Sequence, residues 1–134
     1  MDIFKKLKEI NLPQGEYVVV GGAITAHNIR ESKDLDILVT PKLYQELQKQ
    51  DYKACTCKQC LETSRIMLHK DDVDILPNLM FGNYVGDTKQ LIANADIIKG
   101  FPFIKLAELI QFKRELGRDK DFADIKLIEE FLNK

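Results

Sequence analysis

The segment from Tyr17 to Thr40, YVVVGGAITAHNIRESKDLDILVT, constrains the chain more than any other stretch. The apolar, β-branched run Tyr17 to Val20 predicts a buried strand. Gly21-Gly22 ends it, residues 23 to 29 predict a short helix, and Leu35 to Thr40 predicts a second strand. Side chains alternate along a strand, so Asp34 and Asp36 share one face while Leu35, Ile37 and Val39 take the other. Two carboxylates about 7 Å apart along one strand repel each other unless a cation lies between them. A hard divalent cation does that, and Mg²⁺ prefers carboxylate oxygens together with substrate phosphates. Asp-Leu-Asp alone is weak evidence, because any half-buried strand with a solvent-facing edge produces it. The glycines add to it. A tight turn that frees backbone N–H groups between a strand and a helix receives phosphate oxygens. The competing account of Gly21-Gly22 is a turn that needs positive φ. Eleven residues, Ala23 to Lys33, separate Gly22 from Asp34, so turn and carboxylates are expected on adjacent strand ends.

A third acid follows in Asp71-Asp-Val-Asp-Ile-Leu76, where Asp72 and Asp74 share a strand face opposite Val73 and Ile75. Asp74, flanked by apolar residues, is the better candidate for a site, and Asp72 belongs with the turn. A third carboxylate beside the first pair serves as general base toward an attacking hydroxyl or completes a metal site; the competing account is one more exposed strand position. Ser32 is a candidate donor to a phosphate oxygen, or else a turn or cap residue. Arg30 pairs with phosphate or with Asp34. His27, with no acid spaced to orient it, is expected to be structural.

The rest of the chain predicts further elements. Ile3, Leu7 and Ile10 mark a helix over 2–10, broken by Asn11 to Gly15. Pro41 opens a helix to about Lys49. Residues 52–58, 63–69 and 73–76 predict strands, and Asp87 caps a short helix to about Ala95. Ile97-Ile98 and Phe101 to Ile104 predict short extended pieces. A helix over 105–116, stopped by Gly117, and a final helix over 121–133 close the chain. The fold class expected is α/β (α+β): a small mixed sheet flanked by helices in a single domain spanning 1–134.

On the helix over 105–116, Leu106, Leu109 and Ile110 form one stripe, and Lys113 lies on it. An unpaired ammonium on a core-facing stripe is costly. It either snorkels or pairs with Asp121 or Asp124 of the last helix, or it reaches substrate phosphates or the site carboxylates. Arg114 falls on the outer face.

Charge balance excludes electrostatically driven nucleic-acid binding as a default. The 134 residues carry 20 Lys+Arg against 21 Asp+Glu, a net charge of −1. The longest glycine-tolerant apolar stretch, Tyr17 to Ala26, falls short of the roughly 20 residues of a membrane span. The Lys-rich N-terminus lacks the apolar run of a signal peptide. No membrane association is expected, and a cytoplasmic location is. Cys55, Cys57 and Cys60 crowd into six residues, an odd count that fits a reducing compartment. A closed zinc site wants four ligands, and only His69 lies near as a fourth. On that count no stoichiometric zinc is expected.

Taken together, these motifs resemble the nucleotidyltransferase superfamily that includes DNA polymerase beta and the small, minimal nucleotidyltransferases. The family pattern is Gly-Gly or Gly-Ser, a spacer, Asp-hydrophobic-Asp and a later Asp; here these are Gly21, Gly22, Asp34, Asp36 and, by position, Asp74. Arg30-Glu-Ser-Lys-Asp34 resembles the Arg-x-Ser-x-Asp lead-in of many members. Lys113-Arg-Glu-Leu-Gly-Arg-Asp-Lys-Asp-Phe-Ala-Asp-Ile125 is similar to the ending of small members related to abortive-infection and toxin–antitoxin nucleotidyltransferases. The resemblance implies a nucleotidyltransferase-like fold with C-terminal helices. It implies Asp34, Asp36 and Asp74 as catalytic carboxylates and metal ligands for Mg²⁺, with Mn²⁺ as the alternative. It also implies Gly21, Gly22, Ser32 and Lys113 as nucleotide contacts. The implied activity is transfer of a nucleoside monophosphate from an NTP to a hydroxyl of a nucleic acid, protein or small molecule; no large substrate domain points to one of them. Two alternatives stand beside it. One is a catalytically degenerate member that binds nucleotides or a partner; the other is an unrelated interaction module that binds no NTP.

Overall fold

A computed structural model describes residues 2–63 and 65–134. Its core is a seven-stranded mixed sheet in the order β3-β4-β5-β2-β1-β9-β8, with a separate two-stranded hairpin β6-β7. The chain runs α1 (Ile3–Ile10), β1 (Tyr17–Gly21), α2 (Ala23–Ala26), β2 (Leu35–Val39), α3 (Pro41–Gln48), β3 (Lys53–Ala54), α4 (Lys58–Thr63), β4 (Leu68–Lys70), β5 (Val73–Leu76), β6 (Met80–Phe81), β7 (Tyr84–Val85), α5 (Thr88–Ala93), β8 (Asp96–Ile98), β9 (Phe101–Phe103), α6 (Leu106–Leu116) and α7 (Asp119–Leu132). The expected mixed α/β class with C-terminal helices is what the structure shows.

The central strands follow from composition. Val18, Val19, Leu35, Ile37, Leu38, Val39 and Ile75 are fully buried, and β-branched side chains fill such a two-sided core well. β1 and β2 pair antiparallel, while β1–β9 and β2–β5 pair parallel. Ile3 and Leu7 of α1, Leu43 and Leu47 of α3 and Leu91 of α5 join the same buried cluster. Asp2, Thr40 and Asp87 cap α1, α3 and α5 with side-chain oxygens, which satisfies amide groups that lack intrahelical partners. Among the described residues no helix is long and apolar enough to cross a membrane.

Three expectations are corrected. The helix over 23–29 closes after one turn at Ala26: Asn28 adopts φ 60°, and the Thr25 hydroxyl donates to the Arg30 carbonyl at 2.7 Å, a local bond that competes with helical propagation. The strand over 52–58 shrinks to Lys53–Ala54, and Lys58–Thr63 is helical, as suits its Lys, Gln, Leu and Glu content. The strand over 63–69 begins only at Leu68, and Ser64 lies outside the described residues. The β6–β7 hairpin was not expected, although Gly82-Asn83 between Met80-Phe81 and Tyr84-Val85 carries the two-residue turn signal. Glu115 of α6 accepts from the Asn83 N–H at 2.7 Å, and Glu108 accepts from the Tyr84 hydroxyl at 2.8 Å, so this hairpin is fastened to α6.

Candidate functional site: a carboxylate row beside a buried ion-pair network

Four adjacent strands place four polar or small residues in one row. Gly21 of β1 lies opposite Asp36 of β2, Asp36 is in register with Asp74 of β5, and Asp74 is in register with His69 of β4. Residues in register across neighbouring strands present side chains on the same face, with strands about 4.8 Å apart. A bulge makes the alignment at β1: Val19 pairs with Ile37 but Gly21 with Asp36, so Val20 is the extra residue.

Gly21 is required there by space. A Cβ at position 21 would lie 2.2 Å from Asp36 Oδ2, so the carboxylate occupies the volume a side chain would take. Gly22 is required by conformation, with φ 127°, a region that L-residues avoid. The expected Gly-Gly turn is therefore beside the carboxylates. The helix it opens is a single turn, so the turn's amide groups, rather than a helix dipole, are what it offers a phosphate.

Burial raises the Asp36 carboxyl to about 6, with the charges of Asp74 and then Asp34 adding to the rise, along with a hydrogen bond that protonated Asp36 donates to Asp74; Lys113 opposes it. Asp34 precedes β2 and is exposed. The three acids thus crowd together with Lys113 as the cation acting on Asp36, the electrostatic setting a divalent cation relieves. The donor set is carboxylate oxygen, which suits Mg²⁺ or Mn²⁺.

Asp74 has a further partner. His69 Nδ1 lies 2.5 Å from Asp74 Oδ1. Sequence reasoning considered His69 only as a cysteine partner. The signal was available: a two-residue turn at Asp71-Asp72 pairs 70 with 73 and 69 with 74.

The opposite wall comes from the C-terminal helices. Asp121 and Asp124 of α7 are buried, at 0% and 6% exposure, and each is held by two cations. Arg30 donates to both Asp124 oxygens at 2.7 Å, and Lys113 donates to Asp124 at 3.0 Å. Arg118 contacts Asp121 at 2.6 Å, and Lys113 Nζ lies 3.7 Å from it. Burial opposes ionisation of both acids, but Arg118 at Asp121 and Arg30 with Lys113 at Asp124 outweigh it and hold both below the usual carboxylate range. Lys113 therefore has the pairing partners considered for it, and Arg30 pairs with Asp124 rather than with Asp34. Three cations, Arg30 from the loop after α2 with Lys113 and Arg118, share two buried anions, so this ion-paired network carries one net positive charge.

Carboxylates, glycine turn and cations line a single cleft of about 540 Å³, which Lys33 and Lys120 also border; that is room for a nucleotide-sized ligand. The expected residues Gly21, Gly22, Ser32, Asp34, Asp36, Asp74 and Lys113 all line it. Ser32 is buried, with its hydroxyl 2.5 Å from Thr25 Oγ1. Because the Thr25 proton goes to the Arg30 carbonyl, Ser32 is the donor in that pair and serves the turn. His27 packs against Phe131, ring centroids 5.4 Å apart, the structural role expected of it. No protein-family model matches the chain, and no curated protein matches it by sequence.

Proposed function

We propose that this protein is a Mg²⁺-dependent nucleotidyltransferase that moves a nucleoside monophosphate from an NTP to an acceptor hydroxyl. The observation that carries this reading is the row Gly21–Asp36–Asp74, with His69 on Asp74, lining one cleft together with the ion-paired network of Arg30, Lys113 and Arg118. A nucleoside triphosphate with its cation has the complementary pattern of charge.

Asp34, Asp36 and Asp74 would hold Mg²⁺. When bound, that ion supplies charge neutralisation and alignment of the phosphate oxygens for in-line attack. The amide groups of Gly21-Gly22 and the ammonium of Lys113 would bind the phosphates, with Arg118 and Lys120 at the cleft rim adding positive charge. Asp74, oriented by His69, would accept the proton of the attacking hydroxyl. The resemblance to small nucleotidyltransferases supports the same assignment.

A second reading is nucleotide binding without transfer. It is favoured by the internal pairing of Asp74 with His69 and of Lys113 with Asp121 and Asp124.

Pyrophosphate release from each NTP, with Mg²⁺ or Mn²⁺ and with RNA, protein and small-molecule hydroxyl acceptors, tests the proposal. Transfer requires release that depends on the metal and is lost in Asp36→Asn. Metal-dependent binding with no release from any acceptor class supports the second reading, and no NTP binding at all refutes both.

A further inference from the structure

Cys55, Cys57 and Cys60 lie apart from the carboxylate row, at the end of β3 and the start of α4. Counting ligands along the sequence predicts no zinc. The structure adds what counting lacks: the three Sγ atoms all lie within 4.8 Å of one another, and all three thiols are free. Sulfurs bound to one tetrahedral zinc at about 2.3 Å are about 3.8 Å apart, so small side-chain rotations bring the three to ligating distance.

Two backbone amides point at the sulfurs. The Cys57 N–H donates to Cys55 Sγ, and the Cys60 N–H donates to Cys57 Sγ, each at 3.4 Å. Cys57 is exposed and Cys60 buried, so the cluster reaches from the surface into the fold, and an ion has a way in.

The surroundings suit the charge. Cys57 and Cys60 border a cavity of about 490 Å³ that Arg65 also lines. The Arg65 guanidinium donates to two neutral acceptors, Asn78 Oδ1 at 3.3 Å and the Met80 carbonyl at 2.7 Å. Three thiolates with Zn²⁺ carry one net negative charge, which a single guanidinium offsets; with Cu⁺ the same cluster carries two.

We propose that Cys55, Cys57 and Cys60 form a three-thiolate zinc site whose fourth position is taken by water or an exogenous donor from the side of this cavity. Thiolates select zinc over Mg²⁺, which keeps to oxygen, so the two metal preferences on this chain do not compete. Each thiol gives its proton to solvent as the ion binds. The bound ion ties β3 to α4 beside the wall of Met67, Leu76 and Phe112 that this cavity shares with the cleft.

The test uses the full chain, reduced and stripped of metal, titrated with Zn²⁺ and in parallel with Cu⁺. The expected result is one zinc per chain, a raised Tm, and protection of all three thiols from alkylation by iodoacetamide. Cys57→Ser, at an exposed position, should weaken zinc binding by more than the roughly 10–100-fold that loss of an outer-shell partner costs. Four results overturn the proposal: no zinc retained, zinc retained with the thiols still alkylated, wild-type affinity in Cys57→Ser, or uptake of Cu⁺ alone. Should Cys57→Ser fail to fold, thiol protection in the wild type decides the matter.

Discussion

Gly21 backs directly onto the carboxylate of Asp36, so that the smallest added side chain would overlap it at 2.2 Å. Gly21→Ala therefore has to displace the Asp36 carboxyl from its place in the row. Overpacking of this kind costs about 1–3 kcal/mol, readable by denaturant unfolding. Mg²⁺-dependent nucleotide affinity should fall with it. A variant that keeps full affinity would mean that the position of the Asp36 carboxyl does not matter to the site.

The pH dependence of the metal-free protein reports on the same carboxyl. Its value of about 6 in the fold lies above the ordinary 3.8. Between the two, the folded protein holds a proton that the unfolded chain releases, so stability falls as pH rises. The contribution is complete below the ordinary value and lost as pH rises through about 6. Asp121 and Asp124 act in the opposite sense: their values are lowered, and their stability is lost as pH falls through them. Comparison with Asp36→Asn isolates the first effect. The Tm of the variant minus that of the wild type should grow from about pH 4 to about pH 7 without metal, and Mg²⁺ should narrow the gap at neutral pH. A flat difference would contradict the account.

Lys113 is only 15% exposed in its side chain and touches both buried acids. Lys113→Met keeps the packing, and Asp124 keeps Arg30 while Asp121 keeps Arg118. The loss should stay near the roughly 1.5–3 kcal/mol of a hydrogen bond to a charged group, rather than the roughly 3–5 kcal/mol of a charge left buried alone. Nucleotide affinity should drop about tenfold, the equivalent of roughly 1.4 kcal/mol. Arg114→Met, at an exposed position, should change stability by no more than about 0.5 kcal/mol and leave binding unchanged. Full nucleotide affinity in Lys113→Met would confine that lysine to the scaffold.

The central strands and the acids upon them were legible because alternation and β-branched runs are local signals, read from Tyr17 to Thr40 and from Asp71 to Leu76. The Gly-Gly turn was legible for the same reason. Pairings between elements distant in sequence were less so. Nothing near Arg30 indicates that its partner is Asp124, 94 positions away. His69 was missed although the Asp71-Asp72 turn fixes its register with Asp74, because its role was weighed only against the cysteines. The convergence of Cys55, Cys57 and Cys60 depends on α4, a helix between the two expected strands, which apolar periodicity in so polar a segment does not announce.

The most direct test of the account is calorimetric titration of the wild type and Asp36→Asn with a non-hydrolysable NTP analogue, with and without Mg²⁺, across the four bases. The account predicts one site per chain in the wild type for at least one base, dependent on Mg²⁺ and abolished by Asp36→Asn while the variant stays folded. Absence of binding for every base in Mg²⁺, or equal binding by Asp36→Asn, would contradict it.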